Sequence, residues 1–135
     1  MAVLTISNTI QPLAGSTISQ ETAGAALLEN DALYKDSSDG TVKKLINTSQ
    51  EAATFYGWAL QPSKSGGALA VLTSGNFEMD LSTFAAGETY VASATAGKVQ
   101  LTSDLTAADH FGAVGFAYEN DQFVISQTKY VGLVA

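Results

Sequence analysis

Thr48 to Leu60 reads TSQEAATFYGWAL, and Thr106 to Tyr118 reads TAADHFGAVGFAY. Laid over one another without a gap, at a shift of 58 (106 minus 48), they match Thr48 with Thr106, Glu51 with Asp109, Gly57 with Gly115, Trp58 with Phe116 and Ala59 with Ala117. A threonine followed three residues later by an acid is a capping-box pattern that starts a short helical turn. The Gly-aromatic-Ala that follows reads as the start of a strand. The paired positions predict a scaffold: Thr48 and Thr106 as caps, Gly57 and Gly115 as backbone pivots, and Trp58 and Phe116 as core plugs.

Working outward, the residues before each copy also correspond. Ala25 to Tyr34 and Thr41 to Ile46 bracket KDSSDG, a polar turn cluster that predicts a β-hairpin. GETYVAS, ATAG and KVQLTS, running from Gly87 to Ser103, predict a second hairpin of the same kind. Tyr90 echoes Tyr34, Gly97 echoes Gly40 and Val99 echoes Val42, which makes Tyr34 and Tyr90 core candidates and residues 30–60 and 88–118 a possible internal pseudo-repeat. Between them, ALAVL, TSGN and FEMDL predict a third hairpin, and Phe77, Met79 and Leu81 alternating with Glu78, Asp80 and Ser82 indicate a half-buried strand. The tail, Gln122 to Val134, predicts a last strand ending in VGLVA.

Strand-like runs about ten residues apart, with no long helical period, predict an all-β fold. The expected form is a small barrel or sandwich built from hairpins, with one or two short helical turns. Residues 23–135 are expected to form a single β domain. Residues 1–22 are expected to form an extended N-terminal arm; the weak alternation at its start also fits an edge strand, and the polar composition of Ser16 to Thr22 also fits a frayed terminus.

At 135 residues the chain is long enough to bury roughly two-thirds of its unfolded surface. It has no cysteine, so disulfides, thiolate nucleophiles and Cys-ligated zinc are excluded. With 13 acidic and 6 basic residues the formal charge is −7, a field that repels a phosphate backbone and disfavours nucleic acid as a partner. Charged residues make up 14% of the chain, well under the usual quarter, which fits either a surface covered by neighbours in an assembly or a small acidic domain with a Ser/Thr surface. No apolar run approaches the length of a membrane span, and the N-terminus lacks the pattern of a signal peptide, so the expectation is a chain made in a cytoplasm and held off membranes.

The search for chemistry yields little. His110 is the lone histidine and sits in TAADHFG, where a half-exposed place on a helical turn is the plainer reading than a catalytic base. Asp36, Asp39 and Gly40 lie near one another, but Gly40 falls at position 5 of a loop counted from Asp36, where an EF-hand needs it at 6. SGG at 65–67 lacks the Lys-Ser/Thr of a phosphate loop. No catalytic, cofactor-binding or metal-binding residue is assigned, and no cofactor is expected.

The hairpin ALYKDSSDGTVKKL leading to GWAL, the central GGALAVLTSGNFEMDL, and GETYVASATAGKVQLT leading to VGFAY together resemble the capsid decoration, or cement, proteins of tailed bacteriophages, over roughly residues 24–134. The resemblance implies a structural protein on the outer surface of the virion head. It also implies a small β-rich fold, assembly as a homotrimer, the major capsid protein as partner, and stabilisation of the shell rather than catalysis. The family supplies no motif-defined contact residues. Taken from this sequence, the expected partner contacts are the apolar residues of the arm: Val3, Leu4, Ile6, Ile10, Pro12, Leu13 and Ile18. Function is also expected on the loops Pro62 to Gly67 and Ser74 to Asn76. The alternative is a receptor- or glycan-binding module of a phage fibre or tail, using Tyr34, Tyr56, Tyr90 and Tyr118.

Overall fold

The computed structural model describes residues 11–78, 86–104, 110–119, 122–125 and 130–133. In chain order the strands are β1 (Gln11–Pro12), β2 (Thr17–Thr22), β3 (Ala32–Lys35), β4 (Val42–Lys44), β5 (Gly57–Ala59) and β6 (Ala68–Ser74). They continue with β7 (Asn76–Glu78), β8 (Thr89–Ala92), β9 (Val99–Leu101), β10 (His110–Glu119), β11 (Gln122–Ile125) and β12 (Tyr130–Leu133). The helical content among these residues is one 3-10 turn, Thr102–Asp104. Two antiparallel sheets pack together. One runs β2-β6-β5-β3-β4, and the other runs β1-β7-β11-β10-β8-β9 with β12 against β10. Neither order closes on itself among the described residues, so of barrel and sandwich the fold is a sandwich.

The two outer hairpins form as their turn chemistry dictates. Asp36 N–H donates to Thr41 C=O at 2.8 Å and Gly40 N–H to Asp36 C=O at 2.8 Å, closing β3 onto β4. Ser93 N–H donates to Lys98 C=O and closes β8 onto β9. Each hairpin is followed by a strand that pairs with its first member, and then by one that pairs with that strand. The result is β6-β5-β3-β4 in one sheet and β11-β10-β8-β9 in the other, one strand order written twice.

The central segment departs from expectation. ALAVL and FEMDL do not form a hairpin: β6 belongs to the five-stranded sheet and β7 to the seven-stranded one. The chain crosses between them at Gly75, whose φ of +102° is open to glycine and strained for other residues. The strand partners of β6 are already β2 and β5, so β7 continues past the corner instead of folding back. Residues 11–22 make the same crossing alongside. β1 pairs with β7 and β2 with β6, with Leu13 N–H donating to Asn76 C=O and Ser16 Oγ to the same carbonyl at the corner. The described part of the expected arm is therefore an edge strand of each sheet, and residues 1–10 lie outside the described residues.

Two cores result. Between the sheets, Trp58 meets Phe55, Phe77 and Phe123 edge-on at centroid distances of 5.7, 5.6 and 5.8 Å, while Phe77 stacks on Phe123 at 5.4 Å. Tyr90, Ala92, Val99, Val114, Ala117 and Ile125 complete this layer, with Tyr34 packed on its margin. The other face of the five-stranded sheet carries a second cluster of Leu27, Leu33, Val42, Ala59, Leu69 and Val71, against which Tyr56 packs. The sheet curls over that cluster, so that Ala23 bridges Val42 of β4 in parallel.

The matched Gly-aromatic-Ala strands lie in opposite phase. In β5, Trp58 is 1% exposed and points between the sheets, while Ala59 faces the second cluster. In β10, Gly115 and Ala117 face inward. A Cβ on Gly115 would stand 2.5 Å from the Phe123 ring, so glycine is required by close approach. Phe116 then turns outward, opposite Thr89 and Val124, and is 44% exposed. The expectation of Phe116 as a core plug is thus corrected: β10 carries register shifts on both sides of this segment, and a shift of one residue moves a side chain to the other face. Trp58, Gly57, Gly115 and Tyr90 are buried, and Tyr34 is half-buried.

Trp58 fills the inter-sheet layer and Phe116 does not, so truncation separates them. Trp58→Ala should cost about 3–5 kcal/mol of unfolding free energy, whereas Phe116→Ser should cost under about 1 kcal/mol. Urea titrations followed by far-UV circular dichroism measure both.

Candidate functional site

Three features reach the surface and are available for binding. The first is an open groove of about 460 Å3 beside the first hairpin, lined by Lys35, Ser37, Gln50, Glu51, Phe55 and Tyr56 among others. Its wall is the turn that TSQEAAT forms. The cap is Ser49 rather than Thr48: Ser49 Oγ accepts Ala52 N–H at 3.2 Å, and Ser49 C=O accepts Ala53 N–H at 3.0 Å. Glu51, expected to reach back to the cap, instead accepts Ser37 N–H at 2.7 Å and Ser37 Oγ–H at 2.9 Å, which ties the turn to the hairpin tip. Thr106, the second expected cap, lies outside the described residues.

Behind the groove, Glu21 of β2 is the hub of a polar cluster. It accepts hydrogen bonds from Tyr56 Oη at 2.6 Å and from Ser19 Oγ, and pairs with Lys35 Nζ at 3.2 Å, while that ammonium sits 5.1 Å from the Tyr56 ring centroid. Burial by itself would raise the Glu21 carboxyl, but the hydrogen bonds from Ser19, Tyr56 and Lys35 outweigh it and hold the group below the usual range. The bond to Glu21 raises Lys35, and burial followed by that same carboxylate raises Tyr56. At neutral pH the cluster is therefore an ionised carboxylate, a charged ammonium and a neutral phenol, which lock β2 to β3 and the segment before β5.

The acidic turn is likewise occupied by its own geometry. Asp36 accepts Ser38 N–H and Oγ–H at 2.9 and 2.7 Å and pairs with Lys43; Asp39 accepts Thr41 N–H and Oγ1–H at 2.9 and 2.7 Å. The bond from Lys43 and those from Ser38 hold Asp36 far below its ordinary range. These Asx turns explain why KDSSDG reads like a cation loop and folds as a hairpin tip. Among the described residues no group of three or more His, Cys, Asp or Glu side chains could hold a metal. His110, expected on a helical turn, opens β10 instead, and its N–H donates to Asn47 C=O at 3.2 Å.

The second feature is the set of large apolar side chains left exposed among the described residues: Ile18 at 51%, Leu28 at 60% and Phe116 at 44%. Of the expected contact residues, Ile18 is thus exposed on β2, Pro12 is exposed on β1, and Leu13 is half-buried at the corner. Val3, Leu4, Ile6 and Ile10 lie outside the described residues. Nothing in the local sequence marks Leu28 or Phe116 as a surface residue. Leu28 follows the buried Leu27 within a run that reads equally as helix or strand, and Phe116 is hidden by the phase change described above.

The third feature is the exposed face of β2, Ile18, Gln20 and Thr22, on a strand that pairs with β6 and meets Val42 of β4 just past its end. The loops expected to carry function have structural partners. Leu27 and Ser63 exchange backbone hydrogen bonds at 2.8 and 3.0 Å, Ala23 does the same with Gly67 and Gly66, and Ser74 to Asn76 is the sheet crossing. The tyrosines proposed for glycan stacking do not share a face: Tyr90 is in the inter-sheet core, Tyr34 borders it, Tyr56 is engaged by Glu21 and Lys35, and the side chain of Tyr118 lies outside the described residues.

No protein-family model matches the chain, and a search of the curated proteins returns no match. No helix among the described residues is long and apolar enough to cross a membrane.

Glu21 and a second carboxylate, Asp31, predict opposite pH behaviour. Asp31 is buried, accepts Leu28 N–H at 2.9 Å and is raised by its burial. A lowered native carboxylate stabilises above its unfolded pKa and loses that contribution as pH falls through its native value. A raised one stabilises below its unfolded pKa and loses the contribution as pH rises through its native value. Glu21→Gln should therefore lower the melting temperature at pH 7, Asp31→Asn should raise it, and both differences from wild type should shrink below about pH 4. Thermal melts from pH 3 to 8 test this.

Proposed function

We propose that this protein is a capsid decoration protein of a tailed bacteriophage, a non-enzymatic subunit that binds the outside of the head and stabilises the shell. The observation that carries the reading is the distribution of exposed apolar side chains on a domain poor in charge. Phe116 stands on the outer face of one sheet, Leu28 on the segment covering the outer side of the other, and Ile18 on an edge between them. A protein that bridges subunits of a lattice needs contact points on several sides. The resemblance of the three sequence segments to that family points the same way.

The mechanism is additive. Each copy contributes a modest contact to the major capsid protein, and copies joined about a symmetry axis, as trimers in this reading, engage several neighbours at once, so that weak contacts sum to stable attachment. Residues 1–10, with Val3, Leu4, Ile6 and Ile10, carry part of that contact. Removing them leaves β1 and β2 in place, whereas deletion through Thr22 strips a strand from each sheet.

The test is co-sedimentation with phage heads that lack the protein. The full chain should saturate at a fixed copy number relative to the major capsid protein, and a chain starting at Gln11 should keep its melting temperature and lose attachment. Failure of the full chain to sediment with the heads, or unchanged occupancy of the shortened chain, would contradict the proposal.

A further inference from the structure

The turn of the β8-β9 hairpin is stitched to the first sheet by backbone bonds. Ala32 N–H donates to Gly97 C=O at 2.9 Å, Gly97 N–H to Leu45 C=O at 2.8 Å, and Asn47 N–H to Ser93 C=O at 3.1 Å. Against this joint lies Asp31, the one acidic or basic residue that is buried among the described residues. Its Oδ1 faces the turn directly: a Cβ added at Gly97 would stand 2.8 Å from that oxygen.

Few groups receive the carboxylate. Oδ2 accepts Leu28 N–H at 2.9 Å, and the partly exposed Lys44 Nζ of β4 stands 3.8 Å away, near the outer limit of an ion pair. Lys98, next to Gly97, is the other cation that acts on it. Glu29, on the same turn as Asp31, is exposed, and His110 of β10 meets the Asn47 end of the joint through its N–H. β5 holds the Asp31 backbone, with Ala59 N–H donating to its C=O at 2.8 Å, so the carboxyl belongs to the first sheet and the turn is the part that closes over it. A charge kept from water by one hydrogen bond and distant ammonium groups is poorly compensated. Burial accordingly raises the Asp31 carboxyl, with the Leu28 bond, Lys44 and Lys98 opposing.

We propose that this joint is a pH-sensitive latch: protonated Asp31 holds the turn of the β8-β9 hairpin on the first sheet, and ionised Asp31 loosens it. Lifting Gly97 admits water to Oδ1, which favours the charged form and does little for the neutral acid. A carboxyl that is raised while the joint is closed binds its proton more tightly there. Closure is therefore strongest below the ordinary aspartate range and weakens as pH rises through the raised native value. Opening breaks the bonds across the joint and leaves each hairpin its own, Ser93 N–H to Lys98 C=O in one and Asp36 N–H to Thr41 C=O in the other. Such a local opening is independent of what the protein decorates, and native-state hydrogen exchange detects it.

The test is amide exchange of the full-length protein followed by NMR, with circular dichroism to show each variant folded. Gly97 and Asn47, whose N–H groups cross the joint, are the probes, and Ile125, which donates to Gly75 C=O at the far corner, reports global unfolding. In the wild type, the opening equilibrium at both probes, corrected for intrinsic rates, should rise from about pH 4 to pH 7 and depend less on urea than that of Ile125. Asp31→Asn should slow both probes at least about threefold at pH 7, a gap that closes as pH falls to about 4. Lys44→Met, which removes the nearer ammonium from the ionised form, should speed both at pH 7, and His110→Gln should keep the pH dependence. Probes that track Ile125 at every urea concentration, a wild-type opening equilibrium that does not change with pH, an Asp31→Asn effect equal at the two pH values, or a pH dependence lost in His110→Gln would overturn the proposal.

Discussion

The architecture depends on one antiparallel ribbon that belongs to both sheets. Residues 11–22 and 68–78 run side by side, paired as β2 with β6 in the five-stranded sheet and as β1 with β7 in the seven-stranded one. The bend lies at Gly75, where the Ser16 backbone packs so closely that a Cβ would come within 2.7 Å of its Cα. Ile125 N–H donates to Gly75 C=O at 2.9 Å, which fixes the corner against β11 as well. With the ribbon bent there, Trp58 of one sheet is brought against Phe77 and Phe123 of the other, and the inter-sheet layer forms around that contact.

Much of this was legible in the sequence because the signals are local. KDSSDG and ATAG are turn chemistry, and the hairpins they imply form. The echo between residues 30–60 and 88–118 corresponds to a shared strand order. What the echo could not carry is side-chain phase. Val42 packs in the cluster beyond the five-stranded sheet and Val99 packs between the sheets, just as Trp58 points in and Phe116 out. Phase is set by bulges and by which neighbour a strand meets, and neither leaves a mark in composition. The crossing at Gly75 is hidden in the sequence for a related reason: TSGN fits a hairpin loop, and only the prior occupation of both edges of β6 excludes one.

The binding features follow from the same geometry. Because the N-terminal segment is drawn into the ribbon, Ile18 stands at a sheet edge rather than on a projecting arm, and the polar cluster around Glu21 fixes that edge to the first hairpin. The turn residues that look chemically active, Asp36, Asp39 and Glu51, are consumed by hydrogen bonds within the scaffold. Among the described residues, what remains open at the surface is isolated apolar side chains, Ile18, Leu28 and Phe116.

The ribbon's corner is most directly tested by comparing Gly75→Ala with Gly15→Ala in urea unfolding followed by the fluorescence of Trp58. Both glycines have positive φ, +102° and +87°, so both variants carry the backbone strain of a non-glycine residue, about 1 kcal/mol. A Cβ at Gly15 meets nothing within 4 Å, whereas one at Gly75 collides with Ser16. The account predicts that Gly75→Ala loses at least about 1–3 kcal/mol more than Gly15→Ala. Equal losses would contradict it.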